Sequence, residues 1–162
     1  MNLEIERKFL VKSTVFKQEA TQKKYIKQGF LNKDPNRTVR VRILDDCGYL
    51  TIKGLSNKSG TTRFEWEKEI SRVDAENLFL LAEVGIVEKF RYFVKSKEHT
   101  FEVDEFLGDN QGLIIAEIEL NSEDEVFIKP DWLGPEVTGE PKYYNTVLSN
   151  NPFKNWAQKN LE

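Results

Sequence analysis

The sequence predicts an α+β domain built on an eight-stranded antiparallel β-barrel, a tunnel closed or nearly closed, with helices packed on its outside. Three observations lead there. About eight segments read as strands with short connections, one segment reads as a strong helix, and the charges on the strands are sorted by sign. Side chains alternate across a strand, so residues at i and i+2 share a face. An ordinary solvated face mixes signs and uncharged polar groups, because like charges repel by about 3 kcal/mol at ~5 Å and an effective dielectric of ~20. Here Arg/Arg, Lys/Arg, Glu/Glu and Glu/Asp pairs recur strand after strand. Such rows make sense along a tunnel whose occupant supplies the counter-charge. The apolar faces then point outward, beneath the helix and the C-terminal segments.

The first strand, Leu3 to Val11, places Glu4, Glu6 and Lys8 on one face against Leu3, Ile5 and Phe9 on the other. Ser13 is placed to cap a helical turn through Glu19. Lys23 to Leu31 is β-prone, and Asp34-Pro35-Asn36 closes it as a turn. Arg37 to Leu44 alternates cleanly, with Arg40 and Arg42 opposite Val39, Val41 and Ile43. A hairpin over Asp45 to Gly48 returns the chain along Tyr49 to Lys53, which sets Lys53 beside the arginines. After a polar loop at Ser56 to Gly60, Arg63, Glu65, Glu67 and Glu69 share a face opposite Phe64, Trp66 and Ile70.

From Asp74 the period changes to that of a helix, with Asp74 as N-cap, Leu78, Leu81 and Ala82 at helical spacing, and Gly85 as terminator. Strands resume at Val87 to Val94 (Lys89 and Arg91), Thr100 to Phe106 (Glu102 and Asp104) and Leu113 to Leu120 (Glu117 and Glu119). Ser122 is placed to cap a short helix to Ile128, and the tail turns helical around Tyr143 to Leu148 and Phe153 to Leu161. No repeat or linker divides the chain, so residues 1–162 are expected to form one domain.

Composition narrows the class. A net charge of −3 with 31% charged residues offers no bulk basic patch for nucleic acid. No apolar run approaches membrane-spanning length, the N-terminus lacks a signal-peptide core, and the single cysteine, Cys47, suits a reducing compartment. The expectation is a soluble, cytoplasmic protein, monomeric or homodimeric, without nucleic-acid or membrane partners.

The linings suggest the occupant. Arg40, Arg42, Lys53, Lys89 and Arg91 form a cationic wall, and the guanidinium fork matches phosphate oxygens. Glu4, Glu6, Glu117 and Glu119, with Glu102 and Asp104, form an all-oxygen acidic wall, which suits Mg²⁺ or Mn²⁺ better than zinc. Cations facing metal-binding acids are what a linear polyphosphate bridged by a divalent ion requires. No P-loop is present, and His99, the only histidine, is read as a surface residue rather than a catalyst.

At these residues the chain resembles a known family. Glu4-Ile-Glu-Arg-Lys8 is similar to the ExExK signature of the CYTH superfamily, the triphosphate tunnel metalloenzymes, and Val39-Arg-Val-Arg42, Lys89-Phe-Arg91 and Ala116-Glu-Ile-Glu119 follow in the family's order. The resemblance implies metal binding by Glu4, Glu6, Glu117 and Glu119, and a triphosphate clamp of Lys8, Arg40, Arg42, Lys53, Lys89 and Arg91. It implies Lys8, Lys89, Glu102 and Asp104 as catalytic residues. Glu65 and Glu67 also match, with an ion pair to Arg63 as their other reading. Phe30 departs from the tyrosine common after Gln-Gly in relatives. The implied activity is metal-dependent hydrolysis of tripolyphosphate to pyrophosphate and phosphate. Class IV adenylyl cyclases, thiamine or nucleoside triphosphatases, and a non-catalytic polyphosphate-binding module are the alternatives.

Overall fold

The computed structural model describes residues 3–159. Nine strands follow one another as β1 (Leu3–Val11), β2 (Gln22–Asn32), β3 (Arg37–Leu44), β4 (Cys47–Gly54), β5 (Thr62–Ile70), β6 (Val87–Ser96), β7 (His99–Phe106), β8 (Ile114–Glu119) and β9 (Leu133–Glu136). Four short helices, α1 (Phe16–Glu19), α2 (Arg72–Phe79), α3 (Asn145–Leu148) and α4 (Phe153–Lys159), lie between and after them. The sheet runs β5-β4-β3-β2-β6-β7-β8-β1-β9, and a β1–β5 pairing closes its first eight strands into a barrel.

Strand β1 carries the closure. Leu3, Glu4 and Ile5 pair with β5 on one edge, and Glu6 to Phe9 pair with β8 on the other. Beyond Ile5, β5 leaves that first edge and β9 takes it up from Phe9 to Val11. The gap is stitched by loops: Glu6 N–H donates to the Thr61 carbonyl at 3.0 Å, and Lys8 N–H donates to Thr138 Oγ1 at 2.8 Å. The two loops touch at Gly60 and Gly139, both in the left-handed region at φ +78° and +79°; a Cβ on Gly60 would stand 2.4 Å from Gly139 Cα. Only glycine fits both the conformation and the approach.

The alternation is resolved as the charge sorting implies. Outward faces are apolar and covered. Phe16 of α1, Phe127, Trp132 and Leu133 pack over Phe9, Tyr92, Val94, Phe101, Val103, Ala116 and Ile118. Ala75, Leu78 and Phe79 of α2 pack over Val41 and Ile43. The C-terminal segment does something the alternation does not indicate. Its Val137, Tyr143, Leu148 and Trp156 form an apolar cluster with Leu10, Val87, Phe106 and Ile115, residues on the charge-bearing faces of their strands. One end of the lumen is therefore stopped by an apolar plug.

Several local expectations are corrected. The N-cap of α2 is Ser71, whose hydroxyl accepts from Asp74 N–H, rather than Asp74 itself. That helix ends at Phe79, because the chain turns back to β2 through Glu83 N–H to the Phe30 carbonyl at 2.8 Å. Gly85 (φ +102°) then threads past the Ser149 carbonyl, and Leu80, Leu81 and Val84 are left 83%, 72% and 90% exposed. Residues Ser122 to Ile128 form a turn and extended chain rather than a helix, with the Glu125 side chain accepting from Asn121 N–H. The outer face of β5 is uncovered, with Phe64 and Trp66 41% and 37% exposed. The strand β9 and its pairing to β1 have no signal in the alternation, since Pro135 and Gly134 disguise them. The helix expected to Leu161 is seen over Phe153–Lys159, and Leu161 lies outside the described residues.

Gly60→Ala should lower stability by about 2 kcal/mol or more, a fall of roughly 4–8 °C in melting temperature. Thermal unfolding checks it; an unchanged midpoint would remove the glycine contact from the barrel seam.

Candidate active site

The lumen holds one cavity of about 240 Å³. Glu4, Glu6 and Lys8 of β1, Arg40 and Arg42 of β3, Lys53 of β4, Lys89 and Arg91 of β6, Glu102 of β7, and Glu117 and Glu119 of β8 all line it. Of the candidate residues only Asp104 does not. It lies behind the lining, 1% exposed, and accepts from Arg91 Nε and Nη2 at 2.8 and 2.9 Å and from Lys89 Nζ at 2.7 Å. Asp104 therefore anchors two of the lining cations from behind. Burial opposes its charge, but Arg91 and Lys89 hold its carboxyl below the usual range. Burial in turn brings Lys89 down to about 8, with Asp104 pulling the other way and Arg91 adding to the fall. Arg91, despite burial, is held well above its ordinary value by Asp104 and Glu102.

Lys53, Arg40 and Arg42 have ion-pair partners inside the tunnel. Lys53 Nζ is 3.0 Å from Glu4 and 3.2 Å from Glu65. Arg40 and Arg42 converge on Glu67 at 3.5 and 3.4 Å, and Thr51 donates to the same carboxylate at 2.7 Å. Glu65 and Glu67 thus pair with the clamp and not with Arg63, which instead donates to the Gly54 carbonyl and Thr38. The Nε–H groups of Arg40 and Arg42 are buried without any protein partner. Buried donors with nothing to bond are expensive, and a pair of them on one wall fits the oxygens of an anionic ligand.

The acids show the complementary problem. Glu6 and Glu117 are enclosed by protein yet still touch the cavity. Burial first, then Glu117 and Glu4, raise Glu6 well above the carboxylate range. Glu117 goes the opposite way: burial resists ionisation, but Lys8 and a hydrogen bond from Glu6 carry it far below. The two neighbouring carboxyls are thus pushed in opposite directions. Glu4 and Glu65 part in the same manner, Glu4 raised chiefly by burial and Glu65 lowered, despite burial, by Glu4 and by Lys53. Glu119 is raised by burial, Glu4 and Glu102. Among the described residues no three carboxylates, histidines or cysteines gather tightly enough to enclose a cation alone. Mg²⁺ characteristically takes one or two carboxylates and completes its shell with water and substrate phosphates. Carboxyls set in pairs, Glu6 beside Glu117 and Glu4 beside Glu65, fit that mode of binding.

Residues beyond those the charge rows point to complete the lining. Phe30, Thr38, Thr51 and Arg63 come from the barrel, and Thr138, Tyr144, Asn145 and Thr146 come from the C-terminal segment. The Tyr144 ring lies 4.9 Å from Lys8 Nζ. Uncharged residues at the ends of short tail elements such as α3 carry no charge row, so the strand alternation could not place them in the lumen. His99 lies outside the cavity, against Glu125.

The family described as the CYTH domain matches residues 2–144. An inorganic triphosphatase of Acetivibrio thermocellus is 48% identical over 98% of this chain and 100% of its own length. An inorganic triphosphatase of Nitrosomonas europaea is 35% identical over 90% of this chain and 96% of its own. A crystal structure of an inorganic triphosphatase superposes with a TM-score of 0.65 at 34% identity, covering 90% of this chain and 97% of that one.

Asp104→Asn should cost roughly 3–5 kcal/mol, because Lys89 and Arg91 lose the charge that compensates their burial. The sign with pH follows from the depressed carboxyl. Its contribution is complete above pH ~4, where the unfolded group also ionises, and is lost as pH falls further. Urea unfolding of both proteins from pH 7 down to 3 reads it: the gap between them should narrow only below about pH 4.

Proposed function

This chain belongs to the CYTH domain family, a class of metalloenzymes, and we propose that it hydrolyses inorganic tripolyphosphate to pyrophosphate and orthophosphate inside its charged tunnel. One observation carries the reading. Lys8, Arg40, Arg42, Lys53, Lys89 and Arg91 all face a single cavity, and the acid-bearing β8 stands across the barrel from the arginine strand β3.

The chain's own groups divide the work. Arg40, Arg42 and Lys53 bind and straighten the polyanion, and Lys8, Lys89 and Arg91 neutralise charge on the reacting phosphoryl group. Asp104 holds Lys89 and Arg91 in place from behind. Glu102 keeps one oxygen on Arg91 Nη1 at 3.3 Å and has its other free of protein donors among the described residues. That oxygen orients a water toward the terminal phosphorus. Water adds there, the bridging P–O bond breaks with its electrons leaving on pyrophosphate, and the water's proton passes to solvent. Glu4, Glu6, Glu117 and Glu119 are the residues that would hold Mg²⁺ or Mn²⁺. When bound, the ion supplies electrostatic stabilisation of the phosphate oxygens. The single unpaired Cys47 supports a reducing, cytoplasmic setting.

Phosphate release from tripolyphosphate, ATP and thiamine triphosphate, run in parallel with Mg²⁺, Mn²⁺ or EDTA, tests the activity. Tripolyphosphate should be preferred and EDTA should abolish turnover; full turnover in chelator would exclude the metal. Arg42→Ala should lower kcat/KM by about 2–4 kcal/mol of transition-state stabilisation, and Arg42→Lys should restore only part, lacking the fork.

The pH profile offers a separate check. Lys89, with its pKa brought down to about 8, is charged below that pH and loses its charge above it. Free-enzyme kcat/KM should therefore fall on an alkaline limb near 8. Lys89→Arg should move that limb beyond the measurable range; an unchanged limb would assign it to another group.

A further inference from the structure

The floor of the tunnel is formed by Asn145, on the segment whose Tyr143, Leu148 and Trp156 plug the barrel end. Its Oδ1 accepts from Lys89 Nζ at 3.1 Å and from Gln28 Nε2 at 3.0 Å. An ammonium can only donate, so the atom facing Lys89 is the carboxamide oxygen, and this settles which way the amide points. Gln28 strengthens the assignment. It is 0% exposed, it directs its amino group at the same oxygen, and its own Oε1 is buried without a partner. Turning either amide over would set oxygen against oxygen or nitrogen against ammonium.

With its oxygen held by two donors, Asn145 presents its Nδ2 the other way. That amino group has no protein partner among the described residues and is not among the buried unpartnered atoms, while Asn145 itself lines the cavity. Two N–H groups are thus aimed at whatever fills the lumen beside Lys89. We propose that Asn145 is a substrate-binding residue, the uncharged end of the phosphate clamp, donating from Nδ2 to an oxygen of the phosphate that reaches the tunnel floor. This rests on the phosphate-clamp reading above. The same side chain also positions Lys89. Its oxygen fixes the ammonium between Asn145 and Asp104, so that the third N–H of Lys89 is left for the same phosphate. A neutral donor suits this place. Another cation would add to the burial that already brings Lys89 down to about 8.

Two variants separate the roles. Asn145→Ala removes both donor and acceptor; Asn145→Asp keeps an acceptor for Lys89 and Gln28 but replaces the donor with a negative charge. Each is compared with wild type in tripolyphosphate hydrolysis and in calorimetric binding of tripolyphosphate with EDTA present. Asn145→Ala should raise KM and Kd about tenfold to a hundredfold, the effect of losing one hydrogen bond to a charged acceptor. Asn145→Asp should bind more weakly still, although its ligand-free melting temperature matches or exceeds that of Asn145→Ala. If Asn145→Asp binds as well as wild type, the residue only positions Lys89 and the donor assignment is wrong. If both variants bind and turn over normally, Asn145 is structural. Should Asn145→Ala not fold, Asn145→Asp against wild type decides alone. A wild type that binds tripolyphosphate without hydrolysing it would overturn the hydrolase reading and leave the binding comparison intact.

Discussion

The structure depends on one constraint: ionised groups enclosed by protein must be compensated on the spot. Removing a charge from water costs several kcal/mol even after relaxation, and attraction repays this only where geometry is close. The barrel meets the constraint by register. β6 and β7 pair so that Arg91 faces Asp104 directly, and the twist of the pair brings Lys89 onto the same carboxylate. β4 and β5 pair so that Lys53 faces Glu65 and Thr51 faces Glu67. A slip of one residue in either ladder would send these charges into the outer apolar layer. The charges therefore specify register as strictly as a hydrophobic core would.

Because the charges face inward, the molecule has its apolar layer outside the barrel, and the pieces that look like accessories are what make it water-compatible. α1 and the 127–133 segment cover one side, α2 covers another, and the C-terminal residues stop one end. The side of β5 bearing Phe64 and Trp66 has no such cover. That strand also carries the closing seam, which among the described residues consists of three residue pairs with β1. Glycine contacts and loop hydrogen bonds replace the missing ladder there.

Much of this is legible in the sequence, and for a definite reason. Charge rows such as Arg40/Arg42 and Glu117/Glu119 obey the strand period, so face, partner sign and enclosure can all be read from spacing. The first strand and Arg37–Leu44 agree with the alternation to the residue. What escapes lacks a period. Asn145, Thr138 and Tyr144 enter the lumen from the C-terminal segment, and their position is decided by where Trp156 and Tyr143 dock. Asp104 shares the strand spacing of Glu102, yet only packing depth separates a lining acid from one sealed behind it. The N-cap of α2 is ambiguous in sequence because Asp74 and Ser71 both have capping chemistry, and the side-chain bond chooses Ser71. The helix reads too long because Leu81 and Ala82 keep its period while the backbone has already been drawn to β2.

The same ion pairs that make the tunnel stable set its appetite for a polyanion. Every guanidinium and ammonium among these lining cations has a carboxylate near it in the lumen or just behind it: Glu67 for Arg40 and Arg42, Glu4 and Glu65 for Lys53, Asp104 for Lys89 and Arg91, and Glu117 across the ladder from Lys8. A phosphate chain arriving there gains the difference between its own contacts and those it displaces, not their full Coulomb energy. Asp104 is sealed in and cannot be displaced, so Lys89 and Arg91 turn only their remaining donors toward a ligand. Glu67 and Glu65, by contrast, sit on β5 on the cavity side, where their ion pairs are open to competition from an anion. The crowded acids on β1, β5 and β8 obey the same rule, since enclosure raises Glu4 and Glu6 while neighbouring cations lower Glu65 and Glu117. Both walls are therefore charged but locally balanced when empty. Exchange of one partner for another lets a site this densely charged bind a highly charged ligand and still let its products go.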